Sequence, residues 1–464
     1  MSDLYSRSNS TTDSNAKIMV GLDIGTTKIC ALVASVEQES KNMRILGIGI
    51  SESEGLSRGV VVNIEKTTKA IKNVVEQAEM QSGVKINEVN IGIAGDHIES
   101  IQSRGIITIS SPTAEISRND VERLLDEARK INIPSDRKIL HVLPQDFIVD
   151  GQEGVQDPVG MSGLRLEANV HIITGLSTAI NNITRCVERA GLKIKNLVLE
   201  PLASANAVIS DEEREVGVAV IDIGGGTTDI AVFADKIIRY TSVFGIAGNQ
   251  ITGDLQQGLG ITLANAEKVK REHGHTYEPS ILHDEPIMVP GISGRKPQEI
   301  SKYMLCRILQ PRVSEIFALV YAELEASGYL NRLGAGIVIT GGSTLLRGID
   351  ELAQELLQMP VRVGIPTGIT YAGLAPEIES PVYSTAVGLA LWNIDENNEN
   401  ELAGSSTDKE ITDERDIKSK PYKLPETQKQ INNTKASDKD NNDKKQTKPA
   451  SSWLKKLTDI VKEL

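Results

Sequence analysis

The chain is short of cysteine, and its few cysteines form no pattern. Cys30, Cys186 and Cys306 are the three in 464 residues, too far apart for a metal-ligand spacing and odd in number for a disulfide framework. They read as single buried thiols in a reducing compartment. Long hydrophobic runs are lacking too. None approaches the roughly 20 residues that cross a bilayer. The polar start MSDLYSRSNSTTDSNAK lacks the apolar core of a secretory signal. The chain is therefore expected to be made in, and to stay in, the cytoplasm. Positive charge is in deficit, with a formal net charge of −13. That argues against a nucleic-acid partner, because such binding rests on phosphate neutralisation by Lys and Arg.

What is present comes in duplicate. VGVAVIDIGGGTTDIAVF, at 216–233, is an apolar strand, a bend of glycine and hydroxyl, and a second apolar strand. MVGLDIGTTKICALV, at 19–33, has the same order. A plain hairpin needs only a two-residue turn. Two such costly bends far apart in the chain point to two related halves facing one cleft. Residues 17 to about 393 alternate strand and helix patterns, the signature of an α/β fold.

The bends suit a phosphate. Glycine lets backbone N–H groups approach an anion with no side chain in the way, and successive N–H groups make an anion nest. Gly224, Gly225 and Gly226 permit that approach, and Thr227 and Thr228 add hydroxyls. Gly25, Thr26 and Thr27 offer the same from the other half. Lys28 supplies a positive charge there or is simply solvated. Asp23 and Asp222 end their strands just before the bends. Magnesium on a nucleotide keeps several waters and takes one or two carboxylates, which this pair can supply. A third element, GAGIVITGGSTLLRGIDELAQELL, reads as strand, Gly-Gly turn and helix. Gly341 and Gly342 permit close backbone approach, and the helix start beyond them favours an anion or a polar ligand edge. Glu267 and Lys270 lie one turn apart on a helix between the second and third elements.

The texture changes after Trp392. Residues 394–450 are charged, Asn-rich and nearly free of large apolar side chains. Such a run cannot offset its chain entropy by burial, so a flexible linker is expected. Its r.m.s. reach is on the order of 40 Å. Order is expected again in WLKKLTDIVKEL. On a helical wheel Trp453, Leu454, Leu457, Ile460, Val461 and Leu464 fall in one arc of roughly 120°. Lys455 and Lys456 lie on the polar side, and Ser452 stands at an N-cap position. The helix would be about 18 Å long, too short to span a bilayer. A membrane-interface anchor suits Trp and lysines on a clean amphipathic face; docking on a partner or on the body, a short coiled coil and chance amphipathicity are the alternatives. With three lysines against two acids, apolar burial must do most of the binding. One copy would hold weakly and many copies on one assembly firmly.

DIGTTK, DIGGGTTD and TGGS, in this order, resemble the phosphate-1, phosphate-2 and adenosine motifs of the actin-like ATPase superfamily. The resemblance implies ATP between two halves, with Asp23 and Asp222 near Mg2+. It puts Gly341, Gly342 and Ser343 by the adenosine, and Glu267 and Lys270 at ribose and base. LEPLASANAVI and VYSTAVGLAL look like the two inter-domain connecting helices. Glu200 in the first is a candidate to orient the attacking water, or else a helix-entry acid favoured by the macrodipole.

Over its whole length the chain resembles the FtsA family of bacterial cell-division proteins. The helix IEKTTKAIKNVVEQAEM follows the first hairpin region closely, so actin's usual insertion is absent. An extra module sits instead at 95–175, with RNDVERLLDEARKI, HVLPQDFIVDGQEG and DPVGMSGLRLEANVHII. PVYSTAVGL and HVLPQ are segments of the family's type, and the linker and terminal helix complete the match.

The fold implied is an actin-like two-domain ATPase with a displaced inserted subdomain. Its divisions would be a leader at 1–16, subdomain 1A at 17–94 and 176–214, and inserted subdomain 1C at 95–175. Subdomain 2A would take 215–249 and 319–375, and 2B 250–318. A connecting helix at 376–393, the linker at 394–450 and the amphipathic helix at 451–464 follow.

The function implied is an ATP-binding, polymerising protein that tethers FtsZ filaments to the cytoplasmic face of the inner membrane at the septum. It would also help to assemble the Z ring and recruit later divisome proteins. The FtsZ C-terminal peptide is expected on the smaller lobe, with Arg312, Glu315 and Arg307 as contacts or else as parts of a solvated helix face. Only Glu200 is visible as a water-holding residue, so hydrolysis is expected to be slow. A PilM-like pilus scaffold shares the ATP motifs and module, but not the tether. A small-molecule kinase would need a base aimed at a second substrate. A chaperone would carry a β domain where the linker runs.

Overall fold

Strand Val218–Ile223 is buried at every residue, and so is Thr228–Ala234 beside it. That is why both read as unbroken apolar runs rather than alternating ones: they lie inside a sheet covered on both faces. The computed structural model describes residues 16–37, 43–110, 113–291, 296–371 and 378–392. The leader up to residue 15, the linker and the terminal segment lie outside the described residues, and with them Trp453, Leu454, Lys455, Lys456, Leu457, Ile460, Val461 and Leu464.

The duplication seen in the sequence is a duplication of topology. In the first half, Met43–Glu52, Lys28–Glu37 and Ala16–Ile24 form an antiparallel meander, and Glu88–Ile93 and Lys193–Leu199 extend it in parallel. Ile369–Tyr371 adds a sixth strand beside Met43–Glu52. In the second half, Ile237–Phe244, Thr228–Ala234 and Val218–Ile223 make the same meander, and Ile337–Thr340 and Val361–Val363 extend it in parallel. Helix Ile64–Ser82 covers the first sheet, capped by the Asn63 side chain and ended by left-handed Gly83. Gly47 and Gly49 let it lie close, because a Cβ on either would overlap helix backbone. Two of its glutamines reach the sheet edge. Ile50 N–H donates to Gln77 Oε1 at 3.1 Å and Ile48 N–H to Gln81 Oε1 at 3.0 Å.

The module between the Glu88–Ile93 strand and helix Ser177–Arg189 has its own core. Four antiparallel strands run in the order Glu99–Thr108, Arg165–Leu176, Arg137–Val149, Gln152–Val155. Helix Arg118–Ala128, opened by a Ser117–Asp120 capping box, covers one face. The other face reaches the second half. Gln145 Nε2 donates to the Ile238 and Arg239 carbonyls at 2.8 and 2.9 Å. Buried Arg239 pairs with Asp146 at 2.6 Å, and His171 bonds Thr241 at 2.9 Å. The module thus belongs to the first half by chain and to the second by docking.

Burial lowers His171 to about 4. It does the same to His141, with help from His171. Both rings are neutral when folded but bind protons readily when unfolded, near 6.5. The stability they contribute is therefore whole above pH 6.5 and is lost as pH falls towards 4. Denaturation midpoints should drop across that window, and His171→Gln should flatten the drop. An equally steep drop in the variant rejects the assignment.

The smaller lobe of the second half holds helices Gly248–Leu259 and Leu263–His273, the hairpin Pro286–Val289 with Gln298–Ser301, and helix Lys302–Ala326. This last helix runs past residue 318 without a break. The three cysteines are buried and free.

Candidate functional site

The two bends are built alike. Gly25 N–H donates to the Lys28 carbonyl at 3.0 Å, and Gly224 N–H donates to the Thr227 carbonyl at 3.0 Å. They meet head to head. A Cβ on Gly225 would overlap the Thr27 side chain, and one on Gly226 would overlap Thr26. These two glycines therefore make room for the opposite bend. Ser343 Oγ donates to the Gly224 carbonyl at 2.7 Å, and the N–H groups of Gly248 and Asn249 donate to Gly224 and Gly225 at 3.1 and 2.7 Å.

Around the bends lies a cleft of about 520 Å³. Asp23, Gly25, Thr26, Thr27, Lys28, Glu200, Asp222, Gly224, Gly225, Gly226, Thr227, Glu267, Lys270, Gly341, Gly342 and Ser343 all line it. Thr228 does not: it is fully buried, and its hydroxyl donates to the Ile246 carbonyl at 2.8 Å. The TGGS turn also differs from the strand–turn–helix reading. A 3-10 turn, Gly342–Leu345, follows Gly341, and helix Ile349–Leu357 starts only after left-handed Gly348. Leu345, Leu346 and Leu352 mimic one helical pattern across this break. The short turn, not the helix end, borders the cleft.

Lys28 is not solvated. Its Nζ lies 3.0 Å from Asp23 Oδ2, donates to the Val382 carbonyl at 2.8 Å and sits 5.0 Å from the Tyr383 ring centre. Burial works against its charge, but Asp23 outweighs it and holds the ammonium above its ordinary value. Glu200 is the helix-entry acid that the sequence allowed, and it also lines the cleft. It opens helix Glu200–Val208, and its side chain lies over Gly92 into the cleft. Burial, then the charges of Asp23, Asp229 and Asp222, push it well above the carboxylate range. Lys270 bonds Glu267 at 2.7 Å, Thr252 Oγ1 at 2.8 Å and the Gly248 carbonyl at 3.1 Å.

Asp229, inside the quoted DIGGGTTD, was not singled out from sequence. It is buried, its Oδ2 accepts from Thr227 Oγ1 at 2.9 Å, and its Oδ1 has no partner among the described residues. Burial and the Asp222 charge raise it strongly. An acid inside an otherwise apolar, fully buried strand could have flagged it, since burying a carboxylate is costly unless it meets a polar site. Four carboxylates thus share the cleft floor with Lys28, and burial likewise raises Asp222. A cation would relieve this excess. Among the described residues no three acid, histidine or cysteine side chains are grouped to grip a metal directly. The site fits Mg2+ carried on a ligand and touched through water.

Arg312, Glu315 and Arg307 lie on helix Lys302–Ala326, away from this cleft. Arg312 forks onto Asp254, at 2.7 and 3.2 Å, and also pairs with Glu315. Arg307 pairs with Glu278 at 3.0 Å and is 71% exposed.

A twice-repeated sheet closing on an acidic, glycine-lined cleft defines the actin-like ATPase fold. A solved chain of a PilM–PilN type IV pilus biogenesis complex has this fold, at TM-score 0.59 and 17% identity, covering 80% of this chain and 97% of its own. Family models go further. Residues 219–388 match "Cell division protein FtsA", and residues 95–174 match the "SHS2 domain inserted in FTSA". FtsA of Pseudomonas aeruginosa is 44% identical over 380 residues, 82% of this chain and 90% of that protein. FtsA of Borreliella burgdorferi is 42% identical over 387 residues, 83% and 93%. FtsA of Escherichia coli K12 is 38% identical over 380 residues, 80% and 89%. The chain belongs to the FtsA family of cell-division proteins.

Proposed function

We propose that this cell-division protein binds ATP in the cleft, polymerises through its actin-like body and tethers FtsZ filaments to the cytoplasmic face of the membrane at the septum. The observation that carries the nucleotide half is the pair of matching bends meeting over an acidic floor. Asp23 and Asp222 are the residues that would hold Mg2+ through water, and the ion would supply charge neutralisation at the phosphates. Gly25, Thr26, Thr27, Gly224 and Thr227 border the phosphates, the Gly25 and Gly224 N–H groups closing the bends themselves. Gly341, Gly342 and Ser343 border the adenosine, and Glu267 and Lys270 its ribose and base. Glu200 orients water, and turnover is slow.

The partner half rests on family membership and on the exposed Arg307 of helix Lys302–Ala326. The FtsZ C-terminal peptide docks there, and Arg307 is the freer contact because Arg312 is already satisfied by Asp254 and Glu315. The terminal amphipathic helix holds the membrane, and the 95–175 module meets the next copy in a filament. Later division proteins join this assembly. The test is an ATP titration together with co-sedimentation of the protein on FtsZ polymers. ATP binding with more protein in the pellet than without FtsZ supports the reading. ATP binding with no such gain rejects the partner, and no ATP binding rejects the site.

A further inference from the structure

The chain crosses between its halves twice, through helix Glu200–Val208 and through helix Ser384–Ala390. The two helices touch backbone to backbone, since a Cβ on Gly388 would overlap the Ala203 carbonyl. Each carries one hydroxyl to the same atom, buried at Ser204 and half-buried in the cleft wall at Thr385. Ser204 Oγ donates to Asp222 Oδ2 at 2.5 Å, and Thr385 Oγ1 donates to it at 3.2 Å. The two hydroxyl oxygens are themselves 3.0 Å apart. Two protons serve three contacts. With both aimed at the ionised carboxylate, Oδ2 is saturated from the hinge side. The other oxygen, Oδ1, is then the one that faces the cleft beside Gly341, whose missing Cβ leaves it room.

The segment entering the second helix is also linked to the opposite acid, through Lys28. Lys28, paired with Asp23, donates to the Val382 carbonyl. Residues 382–385 are therefore bonded to the carboxylate systems of both halves. A carboxylate with one lone-pair set saturated cannot rotate freely, so its remaining oxygen is presented in one direction.

We propose that Ser204 and Thr385 are positioning residues for Mg2+-nucleotide: they fix Asp222 so that Oδ1 meets the hydrated ion, and they report that contact to the two crossing helices. The proposal rests on the reading that the cleft binds Mg2+-ATP. A role confined to packing would weaken ATP binding equally with and without the ion. A positioning role acts on the ion's contribution alone.

The experiment is an ATP titration of the full chain by calorimetry, once with Mg2+ and once with a chelator, for wild type, Ser204→Ala, Thr385→Val and Thr385→Ser. Thr385→Val keeps the shape and removes the donor. We expect the Mg2+-dependent gain in affinity to fall about tenfold or more in Ser204→Ala and Thr385→Val. Affinity without Mg2+ should hold, and Thr385→Ser should restore the gain. Equal losses in both conditions overturn the proposal, as does an undiminished gain. If Thr385→Val fails to fold, Ser204→Ala against Thr385→Ser carries the comparison. A wild type that binds no ATP rejects the cleft reading and this proposal together; a wild type that gains from Mg2+ while its variants gain equally rejects this proposal alone.

Discussion

Gly341→Ala should cost ATP affinity tenfold or more, while its neighbour Gly342→Ala should leave affinity near wild type. Gly341 sits at φ 90°, ψ 165°. That region is essentially closed to residues with a Cβ, and occupying it costs on the order of 1–3 kcal/mol. The added methyl would also overlap Asp222 Oδ1 and the Ile223 carbonyl. Asp222 cannot yield easily, because its other oxygen is held by Ser204 and Thr385. The turn must shift instead, and a tenfold loss needs only about 1.4 kcal/mol. A Cβ on Gly342 meets nothing within 4 Å. Calorimetric titration of the two variants checks the contrast, with urea midpoints to separate folding from binding. Equal affinities for Gly341→Ala and wild type would remove the TGGS turn from the ligand site.

Ending the chain at Ser452 should abolish sedimentation with lipid vesicles, and with it the delivery of FtsZ to them. On the proposed reading the six apolar side chains of the terminal segment would carry the attachment, and full burial of one such side chain contributes about 1.5–3 kcal/mol. Leu457→Glu, in the middle of that face, should weaken vesicle binding at least tenfold. Lys455→Gln should weaken it less, and only on anionic vesicles, since a lysine at such a surface contributes about 1 kcal/mol. Added salt should erase the lysine effect and spare the leucine effect. Co-sedimentation of FtsZ with vesicles, full-length protein against the truncation, reads all of this. Equal sedimentation by both would place the membrane contact outside the last twelve residues.

The bends were legible because their glycines and threonines have no role in a plain hairpin, and because the device occurs twice. Asp23 and Asp222 were legible as strand-ending acids before such bends. Ser204 and Thr385 were not. Each is a small polar residue in an apolar helix, and its meaning lies in a carboxylate 18 or 163 positions away. The docking of the inserted module was equally hidden, since Gln145 and Asp146 look like ordinary strand residues until Arg239 is placed beside them. The family resemblance offered Arg312 as a contact, and nothing in the sequence around it reveals that Asp254, on another helix, already pairs with it.

Gln77 and Gln81 have a consequence for crowding. A cell-division protein that gathers many copies at one place brings its sheet edges within reach of each other. An uncovered strand edge is a template for pairing with another chain, the first step of aggregation. The two glutamine side chains occupy the N–H groups of Ile48 and Ile50. The open stretch of this strand is therefore a poor template for pairing with the same strand of another copy.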